Sequence, residues 1–187
     1  MCHYITATVK KSTPLEVLSE IAKSHGLHFI DIKNEFVEQQ LPQGTTYLWK
    51  KSSHCDCGTA LGCMNLRNQQ TETDREGETK RLRRKGWSEA KIQRWIEEKE
   101  KASDKKESRN ELYRQSQEPR AEEWVKFLKD AVANPAVGEF GLLLHFYKTG
   151  PERETIELKR QETTSVHTLS PDFLMTIDED VLYVFRK

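Results

Sequence analysis

At 187 residues, the chain has room for one compact domain, or one domain carrying a helical insertion. Hydrophobic residues make up 35% and charged residues 32%, a low apolar and a high charged share for a globular chain. Thirty Lys+Arg balance thirty Asp+Glu, which argues against a protein whose main work is adhesion to phosphate backbones. No apolar run reaches the roughly 18 residues of a membrane-crossing helix. The start, Met1-Cys2-His3, lacks the basic and apolar regions of a secretory signal, so a cytoplasmic protein is expected.

His3 to Val9 alternates, with Ile5, Ala7 and Val9 on one side, and predicts a half-buried strand. Thr13-Pro14-Leu15-Glu16 then opens a helix, Thr13 as cap and Glu16 completing a capping box. Leu15, Leu18, Ile21 and Ala22 form its stripe, and Gly26 ends it. Leu27 to Ile32 follows as a second strand. Phe36 to Gly44 reads as loop or a short turn, Thr45 to Lys50 as strand, and Ser52 to Gly62 as irregular chain or the opening of a short helix.

More than half of positions 71–120 are charged, too little apolar surface to build a core. A helix is predicted from Ser88, with Trp87 stapling onto Ile92. A second runs from Pro119 to Ala133, with Trp124, Phe127, Leu128 and Ala131 on one face. Phe140 to Tyr147 reads as a central strand, and Thr155 to Lys159 as its hairpin partner. Ser170-Pro171 caps a short helix, and Val181 to Phe185 is the last strand. The expected fold is α+β: a mixed sheet built from the N- and C-terminal segments, 1–70 and 135–187, with a charged helical insertion at 71–134.

The chemistry concentrates in Ser53-His54-Cys55-Asp56-Cys57-Gly58 and in Cys63. Thiolate and imidazole are the ligands zinc prefers, usually four in a tetrahedron. Cys55 and Cys57 can share one ion if the chain turns sharply, and Gly58 suits such a turn. The candidate ligand set is Cys2, His54, Cys55, Cys57 and Cys63, with His3 beside it; which of them ligate is left open. A strand-borne Cys2 closing onto the loop would tie the first strand to the third, and metal binding would then contribute to folding. Asp56, an Asp close before Gly in a loop, is expected to accept backbone hydrogen bonds. The function this favours is a zinc-stabilised interaction protein, its helical insertion facing a protein partner.

Two other readings stand beside it. Cys2 follows the initiator Met, whose removal leaves a free α-amine of pKa about 8 that can act as base to its own thiol. The Met1-Cys2 start resembles that of N-terminal-cysteine hydrolases, such as class II glutamine amidotransferases, and of the abasic-site-crosslinking SRAP proteins. The resemblance covers two residues, with His3 where those families commonly carry glycine, and it implies Cys2 as a catalytic nucleophile. The spacing of Cys55, Cys57 and Cys63 distantly resembles zinc clusters attached to some methyltransferase domains. The third reading is nucleic-acid binding through Lys80, Arg81, Arg83, Arg84 and Lys85, where two helices meet near Gly86. The simpler account of that run is a solvated face balanced by Glu89, Glu97, Glu98 and Glu100. Trp87, Trp95 and Trp124 read as packing anchors, and His145 as a hydrogen-bonded core residue.

Overall fold

The computed structural model describes residues 2–52, 54–68 and 75–187 of the chain. The first strand, β1 (Cys2–Lys10), is followed by α1 (Leu15–Ser24), β2 (Phe29–Asp31), α2 (Glu35–Glu38) and β3 (Thr45–Lys50). Three helices come next: α3 (Cys63–Asn68), α4 (Arg75–Arg84) and α5 (Glu89–Ala133). The chain ends with β4 (Glu139–Tyr147), β5 (Arg160–Ser165), α6 (Pro171–Met175) and β6 (Val181–Arg186). The six strands form one sheet in the order β2-β3-β1-β4-β6-β5. Neighbours are antiparallel except β5 and β6, so the sheet is mixed and the fold is α+β. Among the described residues no helix is long and apolar enough to cross a membrane.

Strand alternation gives the sheet two apolar faces. Ile5, Ala7 and Val9 join Leu48, Phe140, Leu142, Leu144 and Phe185 on one. Leu18 and Ala22 of α1, Leu174 of α6, and Phe127, Leu128, Ala131 and Val132 of α5 cover that face. Phe127 is fully buried and meets Phe29, Trp124 and Phe140 ring against ring. Burying a side chain of that size stabilises by about 1.5–3 kcal/mol. The other face carries Tyr47, Tyr147, Leu143, Leu182 and Val184, packed with Ile32, Val37 and Ile156. The Tyr47 and Tyr147 hydroxyls lie 3.2 Å apart there, a buried pair that satisfies both.

The chain divides into two compact units. Met1–Cys63 and Gln117–Lys187 form the first, and Met64–Ser116 the second. The last turns of α5, from Gln117 on, thus belong with the sheet. Within the second unit, α4 ends at a turn in which Gly86 takes a φ of +76° and its N–H bonds to the Arg83 carbonyl. Ser88 then opens α5, its hydroxyl accepting from the Lys91 N–H. Residues 69–74, where sequence reasoning drew the boundary at 70, lie outside the described residues.

Several local expectations are corrected. The stretch taken for two helices is one, with Pro119 inside it. Proline removes one helical hydrogen bond, and the strong helix formers before it together with the buried stripe after it carry the helix through. Thr155 to Lys159 forms no hairpin with β4; the strand is Arg160–Ser165, and it pairs in parallel with β6. The loop or short turn expected from Phe36 does include a turn of helix, α2, capped by Asn34, whose side-chain oxygen accepts from the Phe36 and Val37 N–H groups. Thr13 does not cap α1: Pro14 occupies the cap position, and the Thr13 hydroxyl is buried with no partner among the described residues.

Candidate metal centre

β3 runs antiparallel to β1, and their pairing ends at Thr6 and Trp49. Beyond that point the edge of β1 would leave N–H groups unmet, and buried backbone donors need partners. The loop after β3 supplies them. The Asp56 N–H donates to the His3 carbonyl at 2.8 Å. The Ile5 N–H donates to the Asp56 carboxylate at 3.0 Å, and the His3 N–H to the Cys57 sulfur at 3.3 Å. The other Asp56 oxygen accepts from the Lys50 ammonium at 2.5 Å. The Asp56 side chain is 4% exposed and that of Lys50 16%, so this is a largely desolvated ion pair. Asp56 is thus the backbone acceptor expected from its sequence, its donor being the Ile5 N–H of β1, with the Lys50 ammonium of β3 as a second partner.

The loop turns through a hydrogen bond from the Thr59 N–H to the Asp56 carbonyl. Gly58 is not in the left-handed region, so that turn does not depend on it. Gly62 does require glycine: its φ is +65°, and a Cβ there would meet Leu144 Cδ2 at 2.6 Å and the Ile177 carbonyl at 2.9 Å. The loop is thereby held to β1 at one end by Asp56 and to α6 at the other by Gly62, whose N–H bonds to the Leu174 carbonyl.

This seating brings three thiols together. The sulfurs of Cys2, Cys55 and Cys57 all lie within 4.8 Å of one another and could hold a metal ion. Cys2 and Cys55 are half-buried and Cys57 is exposed. The thiols differ in acidity. A hydrogen bond from the Cys57 N–H, then those from the Cys57 and Cys2 thiols, pull the Cys55 pKa below its ordinary value. The Cys2 thiol is pushed up, first by its hydrogen bond to Cys55, then by burial. Of these two, Cys55 therefore ionises ahead of Cys2. That direction works against Cys2 as the activated nucleophile. Met1, whose removal that reading needs, lies outside the described residues.

The remaining proposed ligands stand outside the three-sulfur group, His54 on the wall of a cavity that Cys55 also lines. His54 is exposed and Cys63 is buried at the start of α3; neither contributes an atom to the three-sulfur group. His3 points to the opposite face of β1 from Cys2, where its ring bonds to the Glu179 carboxylate and tilts against Phe146. Of the three cysteines, Cys55 also lines a cavity of about 410 Å³, whose wall includes His54, Lys50, Arg120, Glu123 and Trp124. Arg120 of α5 reaches the loop and donates to the Gly58 carbonyl at 3.2 Å.

Sequence reasoning missed Lys50, whose ammonium neutralises Asp56, and Glu179, which fixes His3. It also missed Asp180, whose carboxylate holds His145 Nδ1 at 2.5 Å. Asp180 is the one described residue other than glycine with a positive φ, +64°. No sequence signal marks these partners, because each acts across the sheet. In the basic run, Arg83 forms a bidentate pair with Glu89 at 2.9 and 3.1 Å, so part of its charge is already answered. Lys91 lies 4.0 Å over the Trp87 ring and Lys99 5.4 Å over that of Trp95, while Trp124 is buried against Phe127. Comparison of the chain with protein-family models, with curated proteins and with solved structures finds no match.

Proposed function

We propose that the chain is a zinc-binding interaction protein of the cytoplasm, with Cys2, Cys55 and Cys57 as the protein ligands. The observation that carries this reading is the convergence of three sulfurs from two distant segments within 4.8 Å. Soft thiolates favour zinc over the hard cations. All four cysteines are free thiols, the state a reducing compartment maintains. The ion would join the start of β1 to the loop after β3, adding a metal tie to the one Asp56 already makes. His54 and Cys63 remain outside the ligand set in this proposal. The charged 64–116 unit is the surface offered to a macromolecular partner; Leu112, 66% exposed among its charges, is an apolar contact point for it.

The test is elemental analysis of protein purified without chelator. The expected content is one zinc per chain, lost in Cys2→Ser, Cys55→Ser and Cys57→Ser and kept in Cys63→Ser. Zinc-free protein, or zinc retained by the Cys55→Ser/Cys57→Ser double variant, would overturn the proposal. For the partner surface, a photo-crosslinking residue at Leu112 is expected to give one discrete adduct in cells. Adducts no different from those of a control position in the sheet unit would count against it.

A further inference from the structure

Three sulfurs are one donor short of a closed zinc site. Structural zinc takes four protein ligands, whereas three ligands and an open position characterise sites that bind something from outside. The groups nearest the sulfurs are committed. Asp56 bonds Ile5 through one oxygen and Lys50 through the other, and His3 is held by Glu179 on the far face of β1. His54 and Cys63 add no atom to the group. As the side chains stand, no fourth described residue brings a ligand atom into the group, His54 lining the cavity beside Cys55 without joining it.

The cavity beside the site gives the fourth position its room. Its volume, about 410 Å³, suits a small molecule, and Cys55 belongs both to the sulfur group and to its wall. Lys50 and Asp56 neutralise each other within the wall. Arg120 and Glu123 then offer one cation and one anion a turn apart on α5, with Leu27 and Trp124 as apolar floor. His25 and His54 also line the wall, and its fixed charges, Lys50 with Asp56 and Arg120 with Glu123, are paired in sign. It matches a ligand that carries both signs, and the soft metal set matches a ligand that brings sulfur.

We infer that the site takes its fourth ligand from outside the chain, and that this ligand is a small zwitterionic thiol seated in the cavity, its sulfur at the metal, its carboxylate toward Arg120 and its ammonium toward Glu123. The inference rests on the zinc reading. On ligation the thiol loses its proton to solvent and no electrons move, so no oxidant or reductant is needed.

Cobalt(II) in place of zinc makes both readings visible, since each thiolate adds sulfur-to-metal charge-transfer absorbance. The full-length protein, stripped and reloaded with cobalt, is titrated with L-cysteine, 2-mercaptoethanol and L-serine. L-cysteine is expected to raise the charge-transfer band saturably by roughly a third, the step from three sulfurs to four. L-serine should leave it unchanged, and 2-mercaptoethanol should act only at higher concentration. Arg120→Ala and Glu123→Gln should each weaken L-cysteine by roughly tenfold, the loss of one good ionic contact, and leave 2-mercaptoethanol unaffected. Cobalt that binds through the three cysteines but ignores both thiols overturns the open position and leaves the zinc reading standing. So does cobalt that leaves the protein for the thiol. Equal affinity for L-cysteine and 2-mercaptoethanol overturns the zwitterion. Protein that takes up no cobalt overturns both readings before any thiol is added.

Discussion

Asp56→Ala is the sharpest probe of how the loop is held. It removes the carboxylate that answers both the Lys50 ammonium and the Ile5 N–H. Removing one partner of a buried ion pair costs about 3–5 kcal/mol. Lys50 keeps 16% exposure and can turn toward water, which favours the low end, about 3 kcal/mol. Ile5 is fully buried, and its orphaned N–H adds about 1 kcal/mol or more. The total is about 4 kcal/mol, or a fall in Tm of roughly 8–16 °C for a chain of this size. Asp56→Asn keeps an amide oxygen for Ile5, so it is expected to cost about 1 kcal/mol less. Combining Asp56→Asn with Lys50→Met removes both charges, and stability should return to within about 1 kcal/mol of the parent. Urea unfolding in excess chelator measures the protein term alone, and chelator competition then reads the metal, whose affinity should fall about 10- to 100-fold in Asp56→Ala. Two results would refute the reasoning: an Asp56→Ala cost below about 1 kcal/mol, or a double variant no more stable than Asp56→Asn.

Other positions test the sheet and its charges. Gly141 on β4 faces Thr8 on β1, and a Cβ there would lie 2.0 Å from the Thr8 hydroxyl oxygen and 3.1 Å from Leu182 Cδ1. Gly141→Ala should therefore cost about 1–3 kcal/mol by urea unfolding, and much less in a Thr8→Ala background; equal costs in the two backgrounds would be wrong for this packing. Asp180 and Glu154 govern an acid limb. Burial alone would raise the Asp180 carboxyl, but the His145 and Lys159 hydrogen bonds outweigh it and hold it below its ordinary value. The Thr149 hydroxyl and N–H do the same for Glu154. Groups so depressed stabilise the fold fully above their unfolded pKa values, about 3.9 and 4.3, and lose that contribution as pH falls through the lower folded values. Thermal unfolding followed from pH 6 downward should fall less steeply below about pH 4 in Asp180→Asn/Glu154→Gln than in the parent, and parallel acid limbs would contradict it. Asparagine is chosen because it tolerates the positive φ at 180.

What the sequence made legible follows the strength of its periodicities. β1 shows because Ile5, Ala7 and Val9 alternate onto one apolar face, and β4 because its run is buried on both. β5 was misplaced because Arg160–Ser165 is a polar edge strand with little burial to pattern it. Pro119 suggested a helix start because proline favours the first turn, and nothing local announces that a helix will run through it. The Cys-x-Cys step was visible, whereas its support was not. Asp56, Lys50 and β1 meet only because β3 pairs antiparallel with β1, and register is a property of the whole sheet. Alternation also explains why adjacent Cys2 and His3 part company: consecutive strand residues face opposite sides, so one joins the sulfurs and the other goes to Glu179.

That architecture determines what removing the metal would do. Small zinc domains unfold when stripped, because the ion stands in for a core they lack. Here the core is extensive on both faces of the sheet, and the loop is fastened to β1 by Asp56 whether or not an ion is present. Chelation should therefore loosen the site and leave the sheet folded. Amide hydrogen exchange resolves the two cases. In chelator, the His3, Ile5 and Asp56 amides are expected to exchange faster, since their partners lie in the metal-bearing loop or face it. The Leu142 and Leu144 amides, in the central strand between β1 and β6, should keep their protection. If those central amides lost protection together with the loop, the ion would be holding the fold itself, and the Asp56 tie would have to be much weaker than its burial implies.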